Sequence, residues 1–171
     1  MIKDIAIRNG VWAGVATIGY FLLFYVIDKK LMLHYGVFMA SSLVFLFFMI
    51  RACRQENQRL QKSEAAYPFA LSLKTAFTTY VVGATLYYIW YYLMFNTFDP
   101  GLVALQKEIM IERVDQFESY VGAETADQVR ASYRKEGIDV SFSSTLFSLA
   151  QSMLFGFILA LPVGFAHRRA A

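Results

Sequence analysis

In the stretch GATLYYIWYYLMFNTFDP, residues 83–100, five large rings fall within six positions: Tyr87, Tyr88, Trp90, Tyr91 and Tyr92. Such a run can do one of two things. Aromatic faces attract cations and stack on flat apolar groups, so the rings could line a pocket for a lipid, a quinone or a cation. Tyr and Trp also close membrane helices where these cross the headgroup level. From Tyr87 to Phe98 a helix rises about 18 Å, more than one such belt requires, so the rings must extend inward. The expectation is a belt that merges into packed helix contacts, with an aromatic-lined pocket as the alternative. No carboxylate lies deep in this segment to neutralise a cationic ligand, which weakens a cage.

Other reactive groups are sparse. Gln151 is the one amide within the last apolar stretch, and a hydrogen bond from it across to another helix is expected. His34 and His167 stand without neighbours at metal-ligand spacing and read as interfacial side chains, so no metal is expected. Cys53, the only cysteine, sits in RACRQ and reads as a solvated thiol near the interface. No Gly-rich phosphate loop, G-x-S-x-G, H-E-x-x-H or pair of buried carboxylates is present. The chain is therefore expected not to be an enzyme, and no cofactor is implied.

The elements that must carry these groups are apolar. Of 171 residues, 57% are hydrophobic and 17% charged, with a mean hydropathy of +0.43, beyond the range of an ordinary soluble domain. Residues 9–27, 31–50, 75–98 and 140–166 contain no Asp, Glu, Lys or Arg. Each is long enough to cross a bilayer core, which needs roughly 20 apolar residues. The expected fold is all-α, a single polytopic membrane domain over 1–171. Its four transmembrane helices are expected at about 9–27, 31–50, 75–98 and 142–166, the first being retained rather than cleaved.

Loops set the orientation. The side holding both termini and the loop 51–74 carries nine basic and three acidic residues, and the opposite side seven basic and ten acidic. The positive-inside rule then puts both termini in the cytoplasm. A net charge of +3 reflects that rim and calls for no nucleic-acid partner. In the loop 51–74 the first half reads as a helix continuing out of the bilayer, Tyr67-Pro68 as a turn, and Lys74 as a snorkelling amine. The outer loop 99–139 reads as an amphipathic helical hairpin. Asp99 is expected to cap its first helix, which places Val103, Met110, Val114, Phe117 and Val121 on one face. Gly122 breaks it, and a second helix runs from a Thr125/Gln128 capping box to Gly137.

Small residues form a second pattern. Ser144, Ser148, Ser152, Gly156, Ala160 and Gly164 recur every fourth position, Gly10 and Gly14 make a GxxxG, and Gly36 with Ala40 repeats it. Such strips let helix backbones approach closely where lipid supplies no hydrophobic drive. Contacts within the bundle are expected, with a homo-oligomer or a larger membrane complex as the alternative.

The start RNGVWAG, the segment FALSLKTAFTTYVVGATLYYIWYYLMFNTFDP, the Glu-rich outer helices and the closing LPVGFAHRR together resemble bacterial membrane proteins of the domain-of-unknown-function 4199 family. The resemblance implies four transmembrane helices in a bacterial inner membrane, with a long loop between the third and fourth. It carries over no catalytic or binding residue. Two functions follow from the residues. The first is an accessory, assembly or structural membrane subunit that docks through its packing strip and outer loop, with lipid as its constant neighbour. The second is a small transporter or a lipid- or quinone-binding protein that uses an aromatic-lined cavity. A closed bundle would favour the first, and a cavity lined by Tyr87, Tyr91, Gln151 and Ser148 the second.

Overall fold

A computed structural model describes residues 2–136 and 138–168, and among them every regular element is helical. In chain order these are α1 (Ile2–Ile27), α2 (Lys29–Met32), α3 (Tyr35–Gln61), α4 (Phe69–Leu93), α5 (Gly101–Val121), α6 (Ala123–Glu136) and α7 (Phe142–His167). A π-turn over Met94–Phe98 extends α4. Four segments are long and apolar enough to span a membrane: Ile5–Ile27, Tyr35–Gln61, Phe69–Phe98 and Phe142–His167. The protein is an all-α polytopic membrane protein. Helix α4 is its central post, packed against α1, α3 and α7, whereas α1 and α7 make no direct contact among the described residues.

Local chemistry explains where these spans start. Asp28 caps α2 by accepting from the Lys30 amide at 2.8 Å, and the His34 Nδ1 caps α3 by accepting from the Gly36 amide at 3.1 Å. The second span therefore starts at Tyr35 rather than at residue 31, and His34 is a helix cap. Pro68 opens α4, so the third span begins six residues before its charge-free stretch. Lys74 lies exposed on that added turn. As expected, α3 continues past the apolar stretch. Helix α7 is a single helix with Pro162 inside it.

Small residues close the bundle. A methyl on Gly10 would stand 2.8 Å from the Thr79 carbonyl oxygen, and one on Gly14 would stand 3.0 Å from that of Gly83. On α7, Gly156 lies under the Tyr80 ring, Ala160 is fully buried, and Gly164 abuts the Leu73 backbone. These five residues pack against α4. Gly36 is different: it is exposed, and only the ring of His34 comes near, so the Gly36/Ala40 pair joins no helices.

The structure also tests the finer expectations. Cys53 is fully buried, with its Sγ 3.5 Å from the Ser72 carbonyl oxygen. Its charged neighbours Arg51 and Arg54 point to another face of α3. Asp99 sits one residue before Pro100, the N-cap of α5, and its carboxylate binds Lys29 and Tyr25 while also accepting from the Gly101 amide in the first turn of α5, as expected of a cap. Helix α6 begins at Ala123, so Thr125 lies inside the first turn and forms no capping box. Gly122, at φ 85°, breaks the chain as expected, and its carbonyl accepts the Ala126 amide. The most buried residues of α5 are Leu102 and Ile109; Val103 of the anticipated stripe packs beside them and Met110 borders the cavity below, so the covered face is wider than that stripe and centred one step round from it. Gly137 and the side chains of Phe117 and Val121 lie outside the described residues.

Candidate functional site

The aromatic run does not form a simple belt. Tyr87 is buried, Tyr88, Trp90, Tyr91 and Tyr92 are partly covered, and the π-turn swings Met94 and Phe95 inward until both are buried. The rings pack edge and face: Tyr91 to Phe95 at 4.3 Å between centroids, Tyr87 to Tyr88 at 5.2 Å, and Phe21 of α1 to Tyr87 at 5.2 Å. Tyr92 leaves this group and meets Phe142 at 5.9 Å, tying α4 to the start of α7. The Asn96 amide strengthens that tie by donating to the carbonyls of Tyr92 and Val140, each at 2.9 Å.

Between these rings and α5 lies a cavity of about 300 Å3, walled by Tyr87, Tyr88, Trp90 and Tyr91 of α4, with Phe21, Tyr35, Ser148, Gln106 and Arg113 around them. A second cavity, of about 480 Å3, shares Tyr35, Phe38, Tyr87, Tyr88 and Ser148 with the first and continues between α3 and α7 past Gln151 and Ser152 to Tyr80 and Phe155. Both volumes fall in the range of small-molecule sites. The second cavity faces outward through side chains exposed at the bundle surface, Phe38 at 47% and Phe155 at 43% among them. Gln151, expected to bond across to another helix, lines this groove instead and makes no hydrogen bond among the described residues. The α7 strip therefore divides: Ser148 and Ser152 border the groove, and Gly156, Ala160 and Gly164 close the bundle below it.

Helix α5 straps the top of the first cavity. Lys29 Nζ meets the Asp99 carboxylate at 2.6 Å, to which the Tyr25 hydroxyl also donates at 2.9 Å. Lys30 Nζ lies 3.2 Å from Glu108 and 3.9 Å from Glu112. The hydrogen bond from Lys29 holds the Asp99 carboxyl below its ordinary range and the Lys29 amine above its own, and Glu108 raises the Lys30 amine in the same way. Tyr91 donates to the Gln106 side-chain oxygen at 3.3 Å, and Arg113 donates to the Leu33 carbonyl at 3.1 Å while lying over the Tyr35 ring. Helix α6 touches only α5, held there by Arg130, which binds Asp115, Asp127 and Glu118 and is raised by them.

Neither Arg113 nor Gln106 was singled out from the sequence. The 4-3-4 spacing of Leu102, Gln106, Ile109 and Arg113 puts all four on one helix face and was the available signal. Among the described residues no group of three His, Cys, Asp or Glu side chains could hold a metal.

Residues 8–169 match the family model described as protein of unknown function DUF4199. The chain belongs to this family. No curated protein and no solved structure matches the DUF4199 chain.

Proposed function

We propose that the protein binds a small apolar or amphipathic molecule in the joined cavities beneath its outer helices, as a membrane-embedded carrier or receptor rather than an enzyme. One observation carries this reading: Tyr87, Tyr91, Ser148 and Gln151, drawn from two helices, border two adjoining cavities that share five wall residues. A bundle built only to dock on partners gains nothing from such a void, because dispersion contacts are lost along its lining. The excess of basic residues beside the termini supports an orientation with both termini in the cytoplasm and the α5–α6 hairpin outside a bacterial inner membrane.

A second reading, an accessory subunit docking through its hairpin, has support from α6, which packs on α5 alone and leaves its other faces open. Native mass spectrometry of protein extracted gently from its own membrane separates the two. A monomer that retains one discrete small molecule, lost in Ser148→Trp, is the expected result. A stoichiometric protein partner, with nothing bound in the monomer, would overturn the binding reading in favour of the accessory one.

A further inference from the structure

The joined cavities have a length and a polarity. Along the third span the lining runs from Tyr80 at the deep end to Tyr91, with Phe95 beyond it under the strap. Tyr80 to Tyr91 is eleven helical steps, a rise of about 16 Å, and Phe95 adds about one further turn. A bilayer's hydrocarbon core is about 30 Å thick, so the slot spans at least about one leaflet. Its deep part is walled by aromatic and small residues and carries no charged side chain. Its open side, where Phe38, Met39 and Phe155 are exposed, faces what would be lipid.

Charge is confined to the shallow end. No carboxylate lines either cavity, and Arg113 is the one cation that does. Two further cations near this end, Lys29 and Lys30, are spent on Asp99, Glu108 and Glu112. Among the described residues Arg113 pairs with no carboxylate, and its one hydrogen bond is to the Leu33 carbonyl. A guanidinium has five N–H donors in a planar fork suited to a carboxylate, more than the Leu33 carbonyl takes up. A neutral quinone leaves that charge unanswered, and a cationic ligand would be repelled by it.

Resting on the ligand-binding reading above, we infer that the occupant is a single-chain acidic lipid, a long-chain carboxylate whose head meets Arg113 and whose chain lies in the α3–α7 groove. It enters sideways from the outer leaflet. The cavity volumes suit one chain rather than two.

The protein supplies its own reporter. Its two tryptophans are Trp12, exposed on the outer surface of α1, and Trp90, in the cavity wall. In a Trp12→Phe background, Trp90 fluorescence is titrated with dibromostearate, with the matching dibrominated alcohol, and with brominated phosphatidylglycerol. Unbrominated stearate serves as competitor. Saturable quenching by the acid at concentrations at least about tenfold below the alcohol is expected, the weight of one charge-assisted pair. Arg113→Gln should abolish that preference while leaving the alcohol curve in place, and Arg113→Lys should keep part of it. Equal binding of acid and alcohol, or a preference that survives Arg113→Gln, would overturn the acidic head while leaving the binding reading intact. Tighter binding of phosphatidylglycerol than of dibromostearate would overturn the single-chain assignment. Absence of saturable quenching by all three probes would overturn the binding reading itself.

Discussion

Gly156→Ala is the sharpest perturbation of the bundle, because it adds one methyl group and its sign is open to calculation. A Cβ at residue 156 would lie 2.0 Å from Tyr80 Cδ1, whereas carbon atoms rest at about 3.5–4.0 Å. Tyr80 cannot simply swing away, since it is 6% exposed and its ring packs on Phe45 at 5.0 Å between centroids. Helices α4 and α7 must then part or the ring must leave its rotamer, at a typical overpacking cost of about 1–3 kcal/mol. Against this, Ala is better than Gly in a helix interior by roughly 0.8–1.0 kcal/mol. The net expectation is a loss of up to about 2 kcal/mol, near the balance point only if the bundle yields easily. Two controls isolate the clash. Gly19→Ala meets nothing within 4 Å and should gain up to about 1 kcal/mol. Leu154→Ala, at a residue 71% exposed on the outer face of α7, should change stability by less than about 0.5 kcal/mol. The assay is reversible unfolding in mixed micelles followed by circular dichroism. If Gly156→Ala gained as much as Gly19→Ala, the close α4–α7 contact would be refuted.

Two further outcomes test the ends of the bundle. The lowered Asp99 carboxyl contributes stability above the ordinary carboxylate range, lost as pH falls through its folded value. The raised Lys29 amine contributes below the ordinary amine range, lost as pH rises through its folded value. Protection of α5 amides from hydrogen exchange, corrected for intrinsic rate, should therefore hold across the neutral range and fall in acid; an unchanged acid limb in Asp99→Asn would contradict the pairing. At the opposite end, buried Cys53 should react with a maleimide at least about a hundredfold more slowly than a cysteine introduced at exposed Gln58 in a Cys53→Ser background. Equal rates would return Cys53 to the solvated surface.

The four spans were legible because their charges are so cleanly segregated, and their true starts were not, because capping chemistry moves them. His34 and Pro68 each shift a boundary by several residues without altering the hydropathy pattern. Cys53 was misread from its neighbours in sequence, although Phe45, Met49, Cys53 and Glu56 recur at helical spacing and form a buried stripe. The same face carries a buried carboxylate, Glu56, partnered by Arg59, which no apolar pattern would suggest. The aromatic residues were visible at once, but whether they form a belt or a cavity depends on two things outside that segment. One is the π-turn that turns Phe95 inward, and the other is the strap α5 laid over the rings.

The four-residue strip of α7 shows how one sequence pattern builds both closure and opening. In lipid, helices gain little from burying apolar surface against each other, so contact depends on how closely backbones can approach. Below Tyr80 the strip is Gly156, Ala160 and Gly164, and α7 lies directly on α4. Above it the same strip continues as Ser148 and Ser152, while α4 presents Ala84, Tyr87 and Tyr88. Large rings face small hydroxyls there, and the cavity lies between them. Tyr80, resting on Gly156, forms the floor of that space. The cavity thus follows from where glycine and alanine give way to serine on one helix, opposite the point where the tyrosines begin on the other.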